Sequence, residues 1–106
     1  TILVAEREKQ IVGFVQGHTA ENVGTVLRLY VDPDRRREGI ASTLFDAMTD
    51  ELEREGVDRI RAMALAANEQ GCAFYRSQGM ERVATDTTII DGDRYDEAIF
   101  ERREET

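Results

Sequence analysis

Cysteine, histidine and lysine are almost absent from this chain of 106 residues, which holds one of each: Cys72, His18 and Lys9. A single cysteine excludes an internal disulfide and a Cys-rich zinc site, and no other metal-ligand spacing takes its place. No stretch approaches the roughly 20 apolar residues of a membrane span, and no basic-then-apolar segment reads as a signal peptide. Repeats, linkers and low-complexity segments are missing too. The expectation is one compact cytoplasmic domain over 1–106, with no membrane partner.

The shortage of lysine matters because basic residues are not scarce overall. Fourteen basic residues stand against 22 acidic ones, for a formal net charge of -8, and all but Lys9 are arginine. Abundant Asp and Glu, with Arg in place of Lys, is the composition expected of a halophilic, haloarchaeal-type protein. At 1 M salt, screening over about 3 Å removes most self-repulsion between surface charges. So negative a surface also argues against nonspecific nucleic-acid binding, which rests on neutralising phosphates.

The hydrophobic pattern gives the order ββ-β-α-β-α-ββ. Thr1 to Ala5 and Ile11 to Gly17 are apolar runs joined by a polar turn, and read as a hairpin. Glu21 to Gly24 reads as a break, and Thr25 to Val31 as a third strand rich in β-branched and aromatic residues. Asp32-Pro33-Asp34 ends that strand, since proline cannot donate to a ladder. From Gly39 the period changes. Ile40, Leu44, Met48 and Leu52 recur every four residues beside Ala41 and Phe45, a helical stripe that Gly56 stops. A strand over 58–66 follows, then a helix capped by Asn68 and ended by Gly79. Strands over 81–90 and 95–102, joined at Asp91-Gly92-Asp93, complete a mixed α/β sheet with helices on it.

The junction from Val31 to Ala41 carries the sharpest chemistry. A strand ends, a turn follows, and Gly39 opens a helix. The first helical turn leaves about four amide N–H groups without intrahelical partners, and the macrodipole adds roughly half a positive charge. Gly39, lacking a Cβ, lets an anion approach that end, and Arg35, Arg36 and Arg37 stand beside it. The spacing fits neither a Walker loop nor a dinucleotide fingerprint, so a pyrophosphate or phosphate ester is the favoured ligand. On spacing alone, a solvated surface turn accounts for the same residues.

Arg36-Arg37-Glu38-Gly39-Ile40-Ala41 resembles motif A of the GNAT acetyltransferases, Q/R-x-x-G-x-G/A, and follows a family-like Leu29-Tyr30-Val31-Asp32-Pro33. Asn68, Phe74-Tyr75 and Gly79-Met80 resemble the family's motif B, and Gly13-Phe14 resembles its third-strand Gly-aromatic pair. The resemblance implies the GNAT acyl-CoA N-acyltransferase fold, with a mostly antiparallel central sheet, and acetyl-CoA as cofactor. It implies that backbone amides from Arg36 or Arg37 through Glu38, Gly39, Ile40, Ala41 and Ser42 cradle the pyrophosphate. The backbone of Leu29 and Val31 would pair with the pantetheine arm, and Asn68 would hydrogen-bond along it. By the same resemblance Phe74 would line the cofactor beside Tyr75, and Tyr75 would be the general acid that protonates the leaving thiolate. A phenol with a reference pKa of about 10 has a proton to give at neutral pH.

The remaining candidates are weaker. Cys72 reads as a small buried hydrophobe, because no histidine partner is evident for a nucleophile. Gly71 departs from the alanine common in the family, which suggests close packing against the cofactor. Glu6, His18 and Glu21 are the available bases, and nothing chooses among them; a turn or strand end is the expected place of His18. The chain also reads as starting at the family's second strand, without the amino-terminal strand and helices that wall the acceptor site. An exposed edge strand and apolar surface would then invite a homodimer.

The function this implies is acetyl transfer to a primary amine of a small-molecule or peptide acceptor, directly within a ternary complex. Two rivals stand beside it. One is a non-catalytic acyl-CoA-binding or regulatory module; the other is an interaction domain whose arginine run contacts an acidic partner.

Overall fold

The computed structural model describes residues 1–36 and 38–102. It has a mixed α/β fold of six strands and two helices, divided into two compact units, Thr1–Ile60 and Arg61–Thr106.

The first unit holds β1 (Ile2–Arg7), β2 (Gln10–Ala20), β3 (Val23–Val31) and α1 (Ile40–Arg54). β1 pairs antiparallel with β2, and β2 with β3. Both connections are two-residue turns: Glu8-Lys9 and Glu21-Asn22 each take φ values of 51° and 67°. Two successive left-handed residues make the primed turn whose twist matches a right-handed hairpin. The strands therefore run further than their apolar runs do. Glu6 and Arg7 are still in β1, His18 lies near the end of β2, at the strand end rather than the turn of its two expected places, and Gly24 lies inside β3 rather than in a break.

Gly24 is there for a packing reason that it shares with Gly13 and Gly17. A Cβ at Gly13 would lie 3.3 Å from Leu44 Cδ1; one at Gly17 would overlap Met48 Sδ; one at Gly24 would lie 3.0 Å from Leu52 Cβ. Three strand glycines thus receive three successive knobs of the four-residue helical stripe, and bring α1 close to the sheet. Met48 and Leu52 are fully buried, as are Val15 and Val26 between the glycines. Gly13 has least freedom to change, because a Cβ there would also stand 2.7 Å from the backbone oxygen of Tyr30. Gly13→Ala is expected to lose about 2–3 kcal/mol of stability, near the upper end for overpacking. Gly17→Ala should lose less, because the Met48 side chain can move. Thermal unfolding of the two variants checks the order; a smaller loss at Gly13 would contradict it.

β4 (Arg59–Leu65) crosses the boundary between the units. The second unit continues with α2 (Glu69–Ser77), β5 (Met80–Ile90) and β6 (Asp93–Arg102). β6 pairs antiparallel with both β4 and β5, and the β5–β6 turn at Asp91-Gly92 again has two positive φ values, 51° and 84°. Ala62 opposes Phe100, and Ala64 opposes Ala98. Such small neighbours leave room for the Phe100 ring, fully buried, against Tyr75 at 5.6 Å between centroids.

Candidate functional site

The sharp exit from β3 is built by local hydrogen bonds. Asp32 donates its amide to the Val12 carbonyl at 2.7 Å, which keeps it tied to the sheet. Its carboxylate accepts from the Asp34 amide, and its carbonyl from the Arg35 amide, closing a short 3-10 turn over Pro33–Arg35. Proline at the first position of such a turn forfeits no hydrogen bond. Arg36 is then extended, and Arg37 lies outside the described residues.

Gly39 occupies the N-cap position of α1 with φ 78°, a left-handed conformation that favours glycine. It has no side chain to cap the helix. Among the described residues, none beyond its chain neighbours lies within 4 Å of where its Cβ would be, so they leave the space beside the helix end open. Ile40 is buried and anchors the first turn in the core, while Ala41 and Ser42 are half-buried. Thr43 turns its hydroxyl back onto the Gly39 carbonyl at 3.0 Å. An open, uncapped helix start with small residues and an exposed Arg36 beside it is chemically suited to an anion with several oxygens. Leu29 and Val31, both half-buried, lie on β3 opposite Val15 and Gly13.

Arg35 does not project freely toward a ligand: it bridges Glu8 at 3.6 Å and Glu38 at 3.9 Å. Of the three forks expected beside the helix start, this one is engaged by carboxylates. Arg7, at the end of β1, reaches the other oxygen of Glu38 at 4.0 Å. Apolar periodicity carries no signal for this cluster; the pairing of β1, β2 and β3 brings Arg7 and Glu8 to the loop.

In the second unit, Asn68 caps α2 through its side-chain oxygen, which accepts from the Gly71 amide at 3.0 Å. The side-chain NH2 is the part of Asn68 that the cap does not use. Gly71 has a different reason from the one its family position suggests. A Cβ there would stand 2.6 Å from Asn68 Nδ2, so the glycine makes room for the cap itself. Phe74 is half-buried and Tyr75 is 4% exposed. Burial, and secondarily Cys72, push the Tyr75 phenol up to about 12. It is therefore fully protonated at neutral pH. Cys72 is buried, its thiol directed at the Leu65 carbonyl at 3.8 Å, as a packed small side chain rather than an exposed nucleophile.

Glu6, His18 and Glu21 are all exposed, on β1, β2 and the β2–β3 turn. Nothing in their surroundings singles one out as a base. Among the described residues, no group of His, Cys, Asp and Glu could hold a metal ion, and no helix is long and apolar enough to cross a membrane.

Comparison with known proteins bears on both units. Residues 1–80 match the family model described as acetyltransferase (GNAT) family. The ribosomal protein bS18-alanine N-acetyltransferase of Escherichia coli K12 is 36% identical over 55 residues, 52% of this chain and 37% of that protein. The chain thus matches little more than a third of that curated relative's length. Among solved structures, the ribosomal-protein-alanine N-acetyltransferase of Brucella melitensis is 28% identical, with a TM-score of 0.81 over 95% of this chain and 67% of that one. The PaiA N-acetyltransferase of Thermoplasma acidophilum, solved in complex with coenzyme A, is 24% identical, with a TM-score of 0.79 over 97% of this chain and 60% of that one. The second likeness speaks for the fold alone. With three quarters of its length matched by the family model, and with the strand–turn–helix junction built as described, the chain belongs to the acetyltransferase (GNAT) family.

Proposed function

We propose that this chain binds acetyl-CoA and transfers its acetyl group to a primary amine. The observation that carries the reading is the open, uncapped start of α1 at a left-handed Gly39, where motif A falls. Family membership supports the choice of cofactor. The backbone of Arg36, Arg37, Glu38, Gly39, Ile40, Ala41 and Ser42 is assigned to the pyrophosphate, and that of Leu29 and Val31 to the pantetheine arm. The side-chain NH2 of Asn68 and the ring of Phe74 are assigned to the same cofactor.

Acetyl-CoA supplies an activated thioester; the chain's own residues bind it and handle the proton. Tyr75 Oη holds the proton offered to the departing sulfur. A phenol near 12 is a weaker acid than a thiol, whose reference value is about 8.5. Its contribution is therefore a hydrogen bond that strengthens as sulfur gains charge, with net transfer only if bound cofactor lowers the phenol.

The acceptor stands at the level of a primary amine. A peptide α-amine is the first to try, because the curated relative acts on a ribosomal-protein alanine. Calorimetric titration of acetyl-CoA in molar KCl tests the binding half of the reading, with micromolar affinity expected. Titration without heat or saturation at millimolar cofactor would overturn it. Turnover with an amine panel then separates the enzyme from a pure acyl-CoA-binding module.

Three broader features belong to the same proposal. A single acetyltransferase domain over 1–106 is supported by a family match that spans both units. A halophilic, cytoplasmic setting is supported by the net charge of -8, the single lysine and the buried free thiol. Melting that is indifferent to molar KCl would count against it. A homodimer is supported by Ile2, Val4 and Tyr30, at 62%, 54% and 50% exposed. A monomeric mass by sedimentation would refute that part.

A further inference from the structure

We propose that Arg7 and Arg35 are positioning residues that hold the Glu38 carboxylate, neutralised, clear of the phosphate-binding face of the loop. The inference rests on reading the Arg36–Ser42 loop as the pyrophosphate site, and it answers a difficulty within that reading. Glu38 stands immediately before Gly39, so the loop meant to receive an anion carries an anion of its own. A like charge a few ångströms from a phosphate opposes binding.

The structure contains a device that removes this opposition. Both oxygens of Glu38 are engaged, each by a different arginine: Oε1 by Arg7 Nε at 4.0 Å, and Oε2 by Arg35 Nη1 at 3.9 Å. Arg35 is the hub. It is the least exposed of the four at 27%, and its second nitrogen takes Glu8 at 3.6 Å. The order Glu8–Arg35–Glu38–Arg7 alternates in sign and sums to zero. It joins the β1–β2 turn to the loop, so the primed turn at Glu8-Lys9 acquires a second purpose: it carries Glu8 to Arg35, while Arg7 sits one residue before it. Exposed pairs of this length contribute little to folding. Their effect is on where one charge points.

The test is a double-mutant cycle read by calorimetry of acetyl-CoA at low salt. Arg7→Gln leaves Glu38 half-released and should weaken binding roughly five- to tenfold. Arg35→Gln should weaken it more, because two carboxylates lose their partner. Glu38→Gln should bind somewhat tighter than the unchanged chain. The decisive variant is Arg7→Gln with Glu38→Gln, which should bind like Glu38→Gln alone. In molar KCl the Arg7→Gln loss should shrink severalfold, since screening falls to about 3 Å. Melting temperatures should hardly move.

Two results overturn the assignment: no loss on Arg7→Gln, or a loss that Glu38→Gln fails to rescue, which would make Arg7 a direct phosphate ligand. Gly39→Asp, measured alongside, keeps the two levels apart. Unchanged affinity in that variant brings down the loop reading and this assignment together. Abolished affinity with no coupling between Arg7 and Glu38 brings down this assignment alone.

Discussion

Gly39→Asp should weaken acetyl-CoA binding by two orders of magnitude or more while leaving the fold nearly as stable as before. The two halves of that expectation come from different physics. A non-glycine residue at φ 78° costs about 1–2 kcal/mol, with aspartate among the residues that tolerate it best. Among the described residues, none beyond its chain neighbours comes within 4 Å of the new Cβ, so packing adds little to the cost. Against it stands a gain: the helix start lacks a side-chain cap, and a carboxylate there interacts favourably with the dipole and the first amides, by about 0.5–1 kcal/mol.

The same carboxylate is what removes the ligand. It occupies the open space beside the helix end and satisfies the groups a phosphate would use. At 4 Å and an effective dielectric of 20, each remaining phosphate charge is opposed by about 4 kcal/mol, a factor near a thousand. Gly39→Ala isolates the backbone term, and should bind only a few-fold more weakly than the unchanged chain. Calorimetry on the two variants, with melting curves beside it, checks the pattern. If the aspartate variant binds as well as the alanine one, no anion is held at this helix start.

The order of elements was legible in the sequence because each period is carried by many residues. The every-fourth stripe from Ile40 to Leu52 and the glycines at 56 and 79 admit one reading, and α1 and α2 fall there. The Asn68 cap was legible for the same reason, a polar residue just ahead of an amphipathic run. The strand ends were not. Glu8-Lys9 and Glu21-Asn22 lack the Asn-Gly or Asp-Gly signature of a primed turn, which Asp91-Gly92 carries. Gly24 looks like a break because a glycine just after the polar Glu21-Asn22 has no other local meaning. Its reason is Leu52, on the helix that packs over it.

The loop chemistry divides along the same line. Motif A is contiguous, so the family resemblance points directly to Gly39 and its neighbours. The partners of Arg35 are Glu8, distant in the chain, and Glu38, three residues on; the pairing of β1, β2 and β3 makes them one cluster. Three consecutive arginines look alike in sequence, and the carboxylate partners of Arg35 are visible only in the fold. Gly71 is a similar case, since the contact of its missing Cβ with the Asn68 side chain is visible only in the fold.

Tyr75→Phe should lower turnover roughly 100-fold while leaving acetyl-CoA affinity within about twofold, the pattern of a donor used mainly in the transition state. The substitution deletes one oxygen and keeps the ring, with its contacts to Phe74 at 5.7 Å and Phe100 at 5.6 Å between centroids. Binding through the ring should therefore survive. A second readout does not depend on the acceptor. The folded phenol is raised from 10.0 to about 12 by burial first and Cys72 second, so the folded chain holds this proton more tightly than the unfolded one. Below pH 10 both states are protonated and the contribution to stability is constant. Between pH 10 and 12 the unfolded chain ionises first, and stability is lost as pH rises, by about 2–3 kcal/mol for two units. The phenylalanine variant lacks this group, and its stability should fall correspondingly less over that window. Urea unfolding at pH 9, 10.5 and 12 reads the difference. Equal alkaline losses in both proteins would show that Tyr75 is not held as described, and unchanged turnover would remove its hydroxyl from the chemistry. The two results are independent, so burial can stand while the catalytic role falls.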